Sequence, residues 1–103
     1  MKYENVRHML KTVFCSDFNL AEDVAIGIYV NSLNSSGKTD EMRYELAECL
    51  RDQNVSWRDM LVNDEYEVLD FETEQEAKDY IKRILWQPLD KKTIEIYEAF
   101  VGT

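Results

Sequence analysis

The tightest constraint on this chain is a helix that marks both of its own ends. Thr73-x-x-Glu76 is a capping box, in which a threonine oxygen accepts from the backbone N–H three residues on. Behind it, Ala77, Tyr80, Ile81, Ile84 and Leu85 fall on one helical face. Pro88, which has no N–H to donate, ends the pattern. Glu74–Lys78 and Asp79–Arg83 stand four residues apart in the favourable orientation, each pair contributing roughly 0.2–0.5 kcal/mol.

Four more segments read as helical. Val6, Met9, Leu10, Val13 and Phe14 predict an amphipathic helix over residues 3–15. Ser16-Asp17-Phe18-Asn19 breaks it, and Asn19 with Glu22 is expected to cap the next one. Residues 24–30 are apolar throughout, so strand and helix periods both fit; length and the cap favour a buried helix. NSSGKT (34–39) reads as a loop. Met42, Leu46, Cys49 and Leu50 then predict a third helix, opened by Thr39 or Asp40. Its outer face mixes Glu41, Glu45 and Glu48 with Arg43 and Arg51. Ser56 is a good cap for a short helical piece whose Trp57, Met60 and Leu61 face inward.

Two segments suggest strands. In YEVLDF, Tyr66 and Val68 alternate with Glu65 and Glu67, which predicts a short strand over 65–71. The stretch TIEIYEAFV fits a strand through Ile94, Ile96 and Phe100, or a helix through Thr93, Ile96, Tyr97 and Phe100. Its β-branched content, and two lysines poorly placed beside a helix N-terminus, favour the strand. A lone strand is unstable, so the two are expected to pair. The predicted class is mainly α or α+β: about four to five helices with a minimal two-stranded antiparallel sheet near the C-terminal half, in one compact domain.

Composition agrees with a folded domain: 103 residues, 45% of them hydrophobic, with one proline and three glycines. The formal charge of -9 argues against nucleic acid or an anionic membrane as a direct partner and permits a basic protein. No apolar run is long enough to cross a bilayer, and MKYENVRHML lacks the apolar centre of a signal peptide, so a cytoplasmic protein is expected. Cys15 and Cys49 lie in apolar helical surroundings and read as free buried thiols, with a disulfide between them left open. His8 is the one histidine, and no nucleophile elbow, phosphate loop or zinc-ligand spacing occurs. Neither an enzyme nor a cofactor is expected.

The charge is concentrated in DMLVNDEYEVLDFETEQE (59–76), which holds eight acids and no Lys or Arg. Without them the chain would carry about -1. A calcium loop fails: from Asp64, the third, fifth and sixth positions are Tyr66, Val68 and Leu69, where oxygen ligands and a glycine are needed. A disordered tail also fits poorly, because Met60, Leu61, Val62, Tyr66, Val68, Leu69 and Phe71 are interleaved with the acids. The segment is therefore expected to fold with its acids outside, either as a solvated face or as a docking surface for a basic protein. The candidate contact residues are Asp59, Asp64, Glu65, Tyr66, Glu67, Asp70 and Glu72, with Tyr66 as an aromatic anchor. Trp57 is either a second anchor or part of the core.

The stretch SWRDMLVNDEYEVLDFETEQEAKDYIKRILWQPL (56–89) resembles the small immunity proteins that accompany bacterial polymorphic toxins, most closely those of contact-dependent growth inhibition. The resemblance lies in the Trp-Arg-Asp-Met-Leu turn, the expected short acidic strand, the Thr/Glu-capped helix with Glu-Ala and the closing Trp-x-Pro-Leu. It implies a cytosolic, non-enzymatic protein that binds and blocks the C-terminal toxin domain of a cognate effector, often a nuclease with a basic cleft. It assigns no contact residues. A competing expectation is an acidic adaptor or nucleic-acid mimic that binds a host basic protein.

Overall fold

The computed structural model describes residues 3–89. Five α-helices order them: α1 (Glu4–Thr12), α2 (Glu22–Ser36), α3 (Thr39–Arg51), α4 (Trp57–Leu61) and α5 (Glu74–Ile81). A 3₁₀ turn at Ser16–Phe18 precedes α2, and α5 continues through a π turn, Lys82–Trp86, into a 3₁₀ turn, Gln87–Leu89. α3 packs on both α1 and α2, α4 packs on α1 and α5, and the π turn closes against α2 and α3.

The core is built from the helical stripes. Val6 and Leu10 from α1, Tyr29 and Leu33 from α2, and Met42 and Leu46 from α3 are fully buried or nearly so. Met60 and Leu61 from α4 and Ile81, Ile84 and Leu85 from the last helix meet them. Each such side chain contributes about 1.5–3 kcal/mol on leaving water. Trp57 is buried too, so it belongs to the core and not to the surface. Both cysteines are free and buried, which closes the disulfide alternative.

The capping logic holds where a short polar side chain sits beside the first turn. Thr73 Oγ1 accepts from the Glu76 N–H at 3.1 Å, and Ser56 Oγ accepts from the Asp59 N–H at 3.3 Å. Asn19 does not cap α2. It takes a left-handed conformation, φ 48°, that closes the preceding 3₁₀ turn, and α2 starts from Ala21 without a side-chain cap.

The expected two-stranded sheet is overturned: among the described residues there is no strand, and the class is mainly helical. Residues 93–101, its proposed second strand, lie outside the described residues. The reason at 65–71 is local. Asn63 Oδ1 accepts from the N–H groups of Glu65, at 2.9 Å, and Tyr66, at 3.2 Å, which folds the chain back on itself. Val62 and Glu67 form an isolated antiparallel bridge, and the Val68 N–H donates to the Leu61 carbonyl at 2.7 Å. The period-2 pattern does place Tyr66 and Val68 inside, but against helices and beside α4's own end, not in a ladder.

Candidate functional site

Residues 59–72 leave α4, turn at Asn63 and run to the start of α5 as one acidic loop. Of its candidate contacts, Asp59, Asp64, Glu65, Glu67, Asp70 and Glu72 are all exposed. Tyr66 is not: only 6% of it is accessible, so it is a core side chain and offers no anchor. Its buried hydroxyl has no hydrogen-bond partner among the described residues, and burial pushes its pKa up.

The carboxylates divide by what they meet. Asp59 lies 3.8 Å from Arg7, Glu65 3.8 Å from Lys11, and Asp70 3.7 Å from Arg58. Exposed pairs this loose contribute little, about 0–1 kcal/mol each, and leave the acids available. Asp64, Glu67 and Glu72 have no ion-pair partner among the described residues. The loop's backbone is well anchored: the Glu67 carbonyl accepts from the Ser16 N–H at 2.7 Å, and the Asn63 N–H donates to the Tyr66 carbonyl at 3.0 Å. Carboxylates are thus held outward on a fixed support.

Two other acids hold helix ends within the fold. Glu74 accepts from the Trp57 N–H at 2.6 Å, the Arg58 N–H at 3.1 Å and the Ser56 hydroxyl at 2.9 Å, so it caps α4 from α5. Burial alone would raise its pKa, but these donors and the Arg58 charge outweigh that and hold it below the usual value. Glu45 does the same for α1, accepting from the Val6 N–H at 2.7 Å and Asn5 Nδ2 at 3.2 Å. The expected Glu74–Lys78 and Asp79–Arg83 pairs give way to this arrangement. Lys78 lies over the Trp57 ring at 5.9 Å, Asp79 accepts from Gln75 at 2.9 Å, and Arg83 forks onto both carboxylate oxygens of Glu22.

Cys49 and Asp52 are committed to the fold, while His8 is exposed at the edge of a cleft with Asn5, Met9 and Ser32. The Cys49 thiol is fully buried, and burial, reinforced by Asp52 and Glu45, pushes its pKa up to about 12, so at neutral pH it is no nucleophile. Asp59 shares a shallow cleft with Tyr3, Arg7 and Asp52. Asp52 there accepts from the Tyr3 hydroxyl at 2.6 Å and the Asn54 N–H at 2.9 Å, a structural turn. No cluster of three or more His, Cys, Asp or Glu able to hold a metal ion occurs among the described residues. No helix among them is long and apolar enough to cross a membrane.

One component of this surface is not legible in the sequence. Phe18, Leu20, Val24, Ile28 and Leu69 are 43–53% exposed. Residues 24–30 do form helix, but α2 buries only the Ala25–Tyr29–Leu33 stripe and turns Val24 and Ile28 outward. A continuous apolar run conceals this, because it carries no polar residue to mark the outer face. Comparison with protein-family models, curated proteins and solved structures returns no match.

Proposed function

We propose that this chain is a cytoplasmic immunity-type binding protein without enzymatic activity. It neutralises a cognate toxin domain, a basic nuclease, by laying its acidic loop across the toxin's cationic cleft or a nearby exosite. The observation that carries this reading is that Asp64, Glu67 and Glu72 project from a backbone-anchored loop without cationic partners among the described residues. A cleft that holds phosphate must be positive, and a pre-positioned row of carboxylates presents it with the same charge pattern without ordering cost. The resemblance over residues 56–89 supports the same reading.

The test is co-expression with a candidate toxin domain encoded beside the gene; the absence of any such neighbour overturns the proposal. The expected result is restored growth and a one-to-one complex that persists into high salt. Continued killing with no complex overturns the proposal. Binding to many basic proteins that dissolves steeply with salt would instead mark an acidic adaptor or nucleic-acid mimic.

A further inference from the structure

The acidic loop is hydrogen-bonded to the turn that precedes an apolar face of α2. On α2, Val24 and Ile28 stand one turn apart on the outer face, Leu20 lies in the short irregular segment just before the helix, and Phe18 lies in the preceding 3₁₀ turn. The Ser16–Glu67 backbone bond, 2.7 Å, ties that turn to the acidic loop. Phe18 follows two residues after Ser16, and exposed Leu69 two residues after Glu67. Scattered exposed apolar side chains are ordinary, and Tyr44, alone on α3, is one; a group carried by adjoining segments is not.

The charge around this group is predominantly negative, with Lys11 and Arg58 set opposite Glu65 and Asp70 at the loop's edge. Residues 12–37 contain no Lys, Arg or His but include Asp17, Glu22 and Asp23, and residues 59–76 contain none either. Arg83, which reaches α2 from the π turn, is neutralised by Glu22. An apolar centre with a polar rim is the anatomy of a protein interface.

We infer that Phe18, Leu20, Val24, Ile28 and Leu69 form the apolar centre of a docking surface whose rim is the acidic loop. Its occupant is a protein that presents apolar anchors ringed by Lys and Arg. This rests on the binding role proposed above and adds where the complex gains its lifetime: the rim steers encounter, and the apolar centre resists dissociation. A second copy of this chain is a poor occupant, since it would bring two acidic rims together. Residues 90–103 carry Lys91 and Lys92 against Asp90, Glu95 and Glu98, so they are not the cationic complement.

The experiment measures binding kinetics of the 103-residue chain to a catalytically dead form of a candidate toxin domain encoded beside the gene. The variants are Val24→Ala/Ile28→Ala, Leu69→Ala and Glu67→Lys, with circular dichroism and urea unfolding confirming each fold. The double alanine variant is expected to dissociate at least tenfold faster with its association rate nearly unchanged, and Leu69→Ala to move the same way. Glu67→Lys is expected to slow association. If wild type binds and the alanine variants bind as tightly, the docking surface is refuted while the immunity reading stands. If wild type does not bind, that reading fails and the docking surface falls with it. A concentration-dependent dimer abolished by Ile28→Ala, or exposure of the stripe to a neutral apolar dye only after deletion of residues 90–103, would also overturn it by assigning another occupant.

Discussion

Two carboxylates of similar appearance in the acidic stretch have opposite duties. Glu74 holds the first turn of α4, whereas Glu72 is exposed with no ion-pair partner among the described residues. Glu74→Ala should therefore cost about 1–2 kcal/mol in urea unfolding, as lost helix caps do. Glu72→Ala should stay within about 0.5 kcal/mol. The pH dependence has a definite sign. Because Glu74 is held below its usual 4.5 in the folded chain, its contribution is present above that value and fades as pH falls through the folded one. The stability gap between wild type and Glu74→Gln should narrow in acid. Two tyrosines make a second contrast. The Tyr29 hydroxyl donates to the Leu85 carbonyl at 2.9 Å in the core, while the buried Tyr66 hydroxyl has no hydrogen-bond partner among the described residues. Tyr29→Phe should destabilise by about 1–2 kcal/mol, and Tyr66→Phe should cost clearly less. Equal losses in chemical denaturation would contradict this.

At the scale of elements, α2 is the least economical helix. Its glycines test that directly. Gly37 closes the helix at φ 70°, accepting the left-handed conformation a side chain resists, while Gly27 lies mid-helix with open space where a Cβ would go. Gly37→Ala should lower the thermal midpoint by the equivalent of about 1 kcal/mol, and Gly27→Ala should raise it by about 0.5–1 kcal/mol. The end of the last helix depends on α2 as well. Where α5 loosens into the π and 3₁₀ turns before and around Pro88, the Tyr29 hydroxyl satisfies a carbonyl there. The proline forecasts that the helix ends; that a tyrosine from a distant helix completes the ending is a tertiary fact.

For the whole molecule, the charge is partitioned between holding the fold and facing outward. Reversing Glu65, Glu67 and Asp70 to Lys should leave the circular dichroism spectrum unchanged, because all three are exposed and their pairs are loose. It should lower the association rate for a basic partner by roughly 10-fold or more at low salt, an effect that shrinks as ionic strength rises. The apolar face of α2 should govern dissociation instead. Stopped-flow or surface-based kinetics would separate the two.

Local chemistry alone determined a good part of this protein. Helical spacing placed Leu10, Leu46, Ile81 and Leu85 in the core, Ser56 and Thr73 marked two helix starts, and the interleaved apolar residues of 59–76 implied a folded acidic surface. These follow from groups a few residues apart, where chain geometry dictates who can meet. The tertiary structure decided the rest. It turned a predicted strand into a loop pinned by Asn63, buried Tyr66, assigned Glu74 and Glu45 to helices other than their own, and left Val24 and Ile28 facing out. Each of these depends on which segments become neighbours. An acid or a leucine reads the same in sequence whether its partner is water, a distant helix end or another protein.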